Sequence, residues 1–408
     1  MFKIDRSRSD KAMTSKRMPN LETQFIAHVP LPKTASRYPD IDLLELESGE
    51  PIPLFCRMAW FPRAAGTERR NIYCLFVGTA EAIEKHGPAI ADVTAMGNDV
   101  LVFEFPGQGG SGRFLRDVRK VHACPGGFDL WTDCLKEALR TPLFRAVRQR
   151  AFDARVSCVA LPYSLGGHFF ARLIQEQPAF ARRFTHVVYV NPVVAMNSAG
   201  SMALRVVQSA SVWLQLRRSG YFGKADHFLP GHGRFHPGDR PLAKSSIGTD
   251  TDRHNWLCQF YHERPDRAMW GMTFGWFDEA NRSLIKMWRR LIKDEARHTT
   301  VKLWCRARRR PISQRNATGV PTLVISSERD TIVIAHYVKR FAKFIGADVL
   351  HLPTAKHEPS QEPPAIREGT YGAVAAWVDD PFAPDLAAME PDVQFKPAAC
   401  KKLASDVR

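Results

Sequence analysis

Three side chains of the kinds used in nucleophilic catalysis each follow an apolar run of the sequence. Ser164 follows "RVSCVALPY", Asp330 follows "TLVISSER", and His357 follows "VLHLPTAK". A serine hydroxyl becomes a nucleophile when an imidazole accepts its proton, and a carboxylate holds that imidazole in the right tautomer. These three residue types therefore predict acyl transfer to Ser164, with His357 as the base and Asp330 as the acid.

Each of the three residues also has a purely structural interpretation. A serine at the start of a helix often acts only as its cap, an aspartate after a strand is a common turn residue, and His357 alone could be a surface or structural histidine. Glu328 and His351 compete for the acid and base roles. The occurrence of Ser164, Asp330 and His357 in this order, each at the end of a predicted strand, favours the catalytic interpretation.

The segment around Ser164 partly matches the Gly-x-Ser-x-Gly pattern of a nucleophile on a sharp strand-to-helix turn. Gly166 is present in "LPYSLGGHFF", but Pro162 replaces the first glycine. Proline fixes its own φ angle and has no N–H group. A distorted turn with weak or absent catalysis is therefore the alternative prediction.

Strand-like and helix-like segments alternate along most of the chain, which predicts a mainly parallel sheet with helices on both faces. Ligands bind at the carboxyl ends of the strands in such sheets, so the three candidate residues are expected at one edge. The strand-like runs are 71–78, 99–107, 155–164, 186–194, 320–330 and 347–358. The helical patterns are 87–97, 128–140, 166–177 and 335–346.

One block, residues 195–313, has helical spacing and few strand signals. We interpret it as a helical cap inserted between two halves of the core, residues 26–194 and 314–380. Residues 1–25 are predicted to be a flexible basic arm, and residues 381–408 a tail.

The net charge is +16, and residues 281–315 contain twelve Lys or Arg residues against two acids. Apolar residues are interleaved with these charges, which is typical of an amphipathic helix at an anionic membrane surface. A solvated helix face with snorkelling side chains is the alternative. No nucleic-acid motif accompanies the segment, so we expect no nucleic-acid partner.

The eight cysteines are scattered without a C-x-x-C pair, and several lie in apolar runs. This pattern is typical of buried small hydrophobic residues rather than of a disulfide framework or a zinc site. The first twenty residues lack the apolar core of a secretory signal, and no run of about 18 apolar residues occurs. We expect a cytoplasmic protein, peripheral at most to the inner face of a membrane; the sequence carries no signal for its oligomeric state.

Four segments over roughly residues 50–380 resemble α/β-hydrolases of the monoacylglycerol lipase and lysophospholipase branch, often labelled serine aminopeptidases. They are "FVGTAEAIEKHG", "FEFPGQGGSGR", "PYSLGGHFFARL", and "VISSERDTIV" followed by "AKHEPSQE". The first departs from the usual pattern, because Val77 replaces a histidine. The resemblance implies the α/β-hydrolase fold, Ser164 as nucleophile, Asp330 as acid, His357 as base, and an oxyanion hole formed by the N–H groups of Thr79 and Leu165.

The same resemblance implies hydrolysis of a single-chain lipid ester, a lysophospholipid or a monoacylglycerol, with no metal or organic cofactor. Two alternatives remain: a catalytically weak lipid-binding or scaffolding protein, and an aminopeptidase, which needs acids such as Glu81, Glu104 or Asp278 to bind a substrate amine. Aromatic residues predicted to contact the substrate are Tyr163, Trp256, Trp270, Phe274 and Trp276. A role in the hydrophobic core is the competing interpretation for these aromatic side chains.

Overall fold

An eight-stranded sheet runs through the described part of the chain in the order β1-β3-β2-β4-β5-β6-β7-β8. The computed structural model describes residues 56–113, 127–196, 228, 232–234, 236–307, 318–381 and 393–397. The strands are β1 (Arg57–Phe61), β2 (Ile72–Phe76), β3 (Asp99–Glu104), β4 (Cys158–Pro162), β5 (His186–Val190), β6 (Thr322–Ser327), β7 (Asp348–Leu352) and β8 (Gln394–Lys396).

The six strands from β3 to β7 in this order are parallel, and the strands at the two edges, β1 and β8, are antiparallel to their neighbours. Every residue of β2, β3 and β5 is buried. Continuous apolar runs of this kind are expected because helices cover both faces of a parallel sheet. The six predicted strand runs are confirmed. β1 was not predicted, and β8 lies in the segment that we treated as a tail.

Eight α-helices are assigned in the described ranges. Each of the four helical patterns in the predicted core coincides with a different one of these helices. Their bounds are α1 (Gly87–Ala95), α2 (Gly127–Ala138), α3 (Pro142–Asp153), α4 (Ser164–Glu176), α5 (Thr251–Glu263), α6 (Phe274–Ala307), α7 (Ala335–Ile345) and α8 (Pro364–Asp379). Helices α1 and α8 pack on one face of the sheet with the side chains of Ile90, Val374 and Trp377. Helices α2, α4, α6 and α7 contribute to the core on the other face.

Two helices, α5 and α6, lie between β5 and β6, within the block that we predicted as a cap. Helix α6 is 34 residues long and packs on α2, where Trp276 meets Phe128. Residues 197–227 of the predicted cap, the basic arm and most of the tail lie outside the described residues, so the domain boundaries stay predictions. Within the described ranges, no helix combines the length and apolarity needed to cross a bilayer.

Candidate active site

Ser164 stands at the sharp turn between β4, which ends at Pro162, and α4, which begins at Ser164 itself. Its φ angle is +48°, in the left-handed region that non-glycine residues rarely adopt. Such strain is retained where the surrounding structure enforces it, and it is common at active sites. Pro162 stays in parallel register with Phe76 of β2. The proline therefore ends the strand without preventing the turn.

Glycine is required at two positions around this turn because neighbouring backbone approaches closely. A Cβ atom on Gly78 would lie 2.9 Å from the Cβ of Ser164. A Cβ atom on Gly166 would collide with the carbonyl oxygen of Phe76. The loop after β2 can therefore pass directly beside Ser164, and α4 can cross close to the end of β2.

The structure brings Ser164, His357 and Asp330 together in one hydrogen-bonded chain. The Nε2 atom of His357 lies 2.8 Å from the Ser164 hydroxyl oxygen, and its Nδ1 atom lies 2.6 Å from Oδ2 of Asp330. The other carboxylate oxygen of Asp330 accepts hydrogen bonds from the N–H groups of Ile332 and Val333. The imidazole is thus oriented by a carboxylate that is itself fixed by backbone donors.

Burial and Asp330 act on the pKa of His357 in opposite directions. Burial disfavours the charged imidazolium and lowers the pKa, but the negative charge and the hydrogen bond of Asp330 raise it. The net result is a pKa above the ordinary value of a histidine. A base with this property is well suited to accept the proton of a serine hydroxyl near neutral pH.

The competing acid and base candidates contact other partners. Glu328 has a side chain that is 53% exposed and forms an ion pair with Lys339. The Nδ1 atom of His351 faces the backbone carbonyl of Ser326 within the sheet. Neither residue takes part in the hydrogen-bonded chain to Ser164.

Asn191 is a site residue that sequence reasoning missed. It follows β5 with a φ angle of +40°, and its side-chain amide donates to the carbonyl oxygen of His357 and to the hydroxyl of Ser327. Asparagine tolerates the left-handed region better than most residues. Its position after the apolar run "HVVYV" was the available signal, but the contact with His357 depends on tertiary structure.

The segment from Gly78 to Ala80 is held in place by two side chains. The N–H of Gly78 donates to Glu81 at 2.5 Å, and the N–H of Ala80 donates to Oε1 of Gln108 at 2.9 Å. The Nε2 atom of Gln108 donates in return to the carbonyl oxygen of Gly78 at 2.7 Å. Thr79 lies between two residues whose N–H groups are already engaged, directly after Gly78, which passes beside Ser164. Sequence reasoning did not assign this role to Gln108.

Leu165 is the second residue of α4, and N–H groups in the first turn of a helix have no acceptor within the helix. Two backbone donors near one serine are the arrangement that stabilises the oxyanion of a tetrahedral intermediate. The roles of Thr79 and Leu165 as an oxyanion hole remain predictions.

A buried charge cluster lies behind the segment 78–81. The ammonium group of Lys85 contacts Glu81 and Glu358, each at 2.5 Å, and all three side chains are less than 8% exposed. Burial lowers the pKa of Lys85, but the two carboxylates outweigh this effect and raise it. The cluster ties Glu81, which binds the Gly78 N–H, to Glu358, the residue after His357.

Structural comparisons agree with this architecture. No protein-family model and no curated protein matches the chain. A soluble variant of monoglyceride lipase from Saccharomyces cerevisiae, solved with a substrate analogue, aligns with a TM-score of 0.55 and 13% identity over 86% of this chain and 97% of that one. This chain has the α/β-hydrolase fold.

Two other structures of the α/β-hydrolase fold are also similar. A thermostable carboxyl esterase from Bacillus coagulans in complex with glycerol has a TM-score of 0.49 and 11% identity, over 83% of this chain and 98% of its own. The monoacylglycerol lipase of Paleococcus ferrophilus has a TM-score of 0.48 and 15% identity, over 80% and 98%. The Saccharomyces cerevisiae structure, with its TM-score of 0.55, confirms the resemblance inferred from the sequence at the level of the fold.

Within this fold the aromatic residues predicted to contact substrate are dispersed. Trp276 is 2% exposed and packs on Phe128 in the core, the competing interpretation given above, and its contact with substrate stays a prediction. The side chain of Tyr163 belongs to the core on the face covered by α1 and α8, and its role in substrate binding stays a prediction.

The other three aromatic residues are half-buried in the inserted block. Trp256 stacks on Phe260, Trp270 packs on Phe228, and Phe274 begins α6. A role for Trp256, Trp270 and Phe274 in substrate binding remains a prediction.

The acids that an aminopeptidase would need already have internal partners. Glu104 binds the guanidinium of Arg57, Glu81 binds Lys85, and Asp278 binds Arg282. A substrate amine would have to displace a cation to reach any of these carboxylates. The arrangement therefore gives no support to the aminopeptidase alternative.

Proposed function

We propose that this α/β-hydrolase is a serine carboxylic-ester hydrolase that acts on single-chain lipid esters, either monoacylglycerols or lysophospholipids. The observation that carries the proposal is the geometry at Ser164. Its backbone is in the left-handed region, and its hydroxyl oxygen is 2.8 Å from the imidazole of His357, which the buried carboxylate of Asp330 orients. A helix cap or a core serine needs neither the backbone strain nor the two hydrogen-bonded partners.

In the proposed reaction, Nε2 of His357 accepts the hydroxyl proton as the Ser164 oxygen attacks the ester carbonyl. The N–H groups of Thr79 and Leu165 stabilise the negative charge on the carbonyl oxygen. The imidazolium then protonates the leaving alcohol, and an acyl-enzyme remains. Water, deprotonated by His357, attacks the acyl group, and the carboxylic acid leaves Ser164.

The choice of a lipid ester is supported by the sequence resemblance and by the monoglyceride lipase of the same fold. The exposed surface of α6 adds a physical argument. Ile285 and Ile292, one heptad apart, are 50% and 53% exposed, and Arg289, Arg290 and Lys293 beside them are exposed as well. An apolar pair among cations suits contact with an anionic membrane, where such substrates reside.

Covalent labelling tests the proposed function. A fluorophosphonate should label one site, and mass spectrometry should locate the adduct on Ser164. Ser164→Ala should lose the label and lower kcat by at least 1000-fold toward monoacylglycerols and lysophosphatidylcholine. Ser157→Ala, which changes a serine just before the opposite end of β4, is the matched control and should retain both properties.

Two results would overturn the proposal. An unlabelled wild-type protein that still binds lipid vesicles would favour the non-catalytic lipid-binding alternative. Hydrolysis of amino-acid p-nitroanilides in preference to lipid esters would favour an aminopeptidase. The ratio of the rates on monoacylglycerol and lysophosphatidylcholine then selects the head group.

A further inference from the structure

A cavity of about 380 Å³ lies on the face of the sheet that α1 and α8 cover. This volume is within the range of small-molecule sites. Most of its wall is apolar and comes from four parallel strands and α8. The apolar residues that line it include Leu161, Val190, Ile325, Val374 and Ala375.

The cavity is elongated along the strands. Asn71 and the exposed Arg70 line one end, just before β2, whereas Tyr163 and Ser360 line the other end. The parallel register of β2 and β4 puts Tyr163 about six residues above Asn71, which corresponds to about 20 Å. Because Arg70 is exposed and Tyr163 and Ser360 are each only 6% exposed, the mouth is at Arg70 and the closed end is beside Tyr163.

Hydroxyl groups at the cavity wall lack hydrogen-bond partners within the described residues. They belong to Tyr163, Ser360 and Tyr371, and each hydroxyl oxygen is buried. The hydroxyls of Tyr163 and Ser360 are close to each other, but without the geometry of a sound hydrogen bond. A buried hydroxyl without a partner has lost its hydrogen bonds to water without gaining others, at a cost in stability. A ligand oxygen at the closed end would remove this cost.

The charges near the closed end select against an anion. Glu358 and Glu81 both act as negative charges on the Tyr163 hydroxyl; they share the ammonium group of Lys85, and Nε2 of His86 lies 3.0 Å from Glu81. Burial and the charge of Glu358 both raise the pKa of Tyr163, so its hydroxyl stays protonated and able to donate. A carboxylate would be repelled here, whereas an alcohol or carbonyl oxygen would accept the hydrogen bond.

We propose that this cavity is a second ligand site, separate from Ser164, for an uncharged molecule with a narrow apolar body and an oxygen at its leading end. A single-chain alcohol has this chemistry. Its oxygen would bind the hydroxyls of Tyr163 and Ser360, and its chain would lie along Leu161, Val190 and Ile325 toward the mouth. The site does not depend on the proposed esterase activity, because none of its walls includes Ser164, Asp330 or His357.

Calorimetric titration of the full-length protein with 1-decanol tests the proposal, with decanoate at pH 8 as the charged analogue. One equivalent of decanol should bind, both before and after Ser164 is blocked with a fluorophosphonate, and decanoate should bind at least 10-fold more weakly. Ala375→Phe, which fills the cavity from α8, should weaken decanol binding at least 10-fold. Gly372→Phe, at an open position on the same helix, should not.

A second variant tests the site even if Ala375→Phe misfolds. Ser360→Ala removes one orphan hydroxyl without adding volume, and it should weaken decanol binding several-fold with no loss of thermal stability. Equal binding by Ala375→Phe and wild type, equal binding of decanoate and decanol, or a crystal structure with water alone in the cavity would each overturn the proposal.

Discussion

The Nε2 atom of His357 lies 2.8 Å from the hydroxyl oxygen of Ser164, although 193 positions of sequence separate the two residues. β4 delivers the serine and the loop after β7 delivers the histidine, so the order of strands in the sheet brings both residues to one edge. On the far side of the imidazole, Asp330 makes the opposing contact at 2.6 Å. This three-residue relationship determines how activity should depend on pH.

Activity should fall on acidification as His357 becomes protonated. Because Asp330 raises the pKa of His357, the acidic limb of kcat/KM should have its midpoint above 6.5, the ordinary value for histidine. Asp330→Asn removes the negative charge that raises the pKa of His357 and leaves burial, which lowers that pKa. Its residual activity, lower by about 10⁴-fold, should therefore have an acidic limb at lower pH. Identical limbs in pH profiles of both proteins would contradict the assignment.

Gln108 should act as a positioning residue for the segment from Gly78 to Ala80. Gln108→Ala removes both hydrogen bonds to this segment and should lower kcat about 10- to 100-fold, less than the loss of an oxyanion donor itself. KM should change little, because the bonds act on the transition state. Gln149→Ala on the exposed face of α3 is the control and should match wild type. A rise in KM at constant kcat would instead place Gln108 in substrate binding.

Lys85 should be important for stability because it neutralises two buried carboxylates. Lys85→Met removes the cation that Glu81 and Glu358 share, leaves Glu81 with His86 as its ionic partner, and should cost about 3–5 kcal/mol of unfolding free energy at neutral pH. The two carboxylates would then have raised pKa values, so the loss should shrink as the pH falls and they take up protons. Urea denaturation at pH 7.5 and 5.5 measures both effects. An equal loss at the two pH values would argue against charge burial as the cause.

The cations of α6 should direct the protein to anionic membranes. Each arginine near such a surface contributes about 1 kcal/mol, so Arg289→Gln/Arg290→Gln should weaken binding to phosphatidylglycerol vesicles about 30-fold. Arg145→Gln/Arg148→Gln removes the same charge from α3 and should have a smaller effect. Co-sedimentation with vesicles of varied composition provides the measurement. If both double variants lost the same amount of vesicle binding, the net charge of the protein would explain its attraction to the membrane, and α6 would not be a specific membrane-binding face.

The strands and the order Ser164, Asp330, His357 could be predicted from the sequence because each depends on local patterns. Apolar runs identify strands, and parallel strands collect their carboxyl ends at one edge. Asn191, Gln108 and the Lys85 cluster could not be predicted in their roles, since each contacts residues far away in sequence. The backbone angle of Ser164 likewise follows from the crossing of α4 over β2 and not from the residue type.

The surroundings of the aromatic residues could not be predicted from the sequence either. Aromatic side chains such as Trp276 and Tyr163 occur both in lipid pockets and in hydrophobic cores, and the face of the helix or strand on which each lies decides its surroundings. Trp276 is placed in the core by the packing of α6 on α2. Tyr163 alternates away from Ser164 at the end of β4 and so reaches the opposite face of the sheet.

The short strand β8 affects the tendency of this protein to self-associate. It pairs with Val349, Leu350 and His351 of β7, whose backbone groups would otherwise form an open edge. Open edges recruit strands from other molecules, and short strands with charged residues discourage this. β8 is three residues long and presents Gln394 and Lys396 to solvent. Its removal should convert the last parallel strand into a nucleus for intermolecular sheet growth, and thus for aggregation.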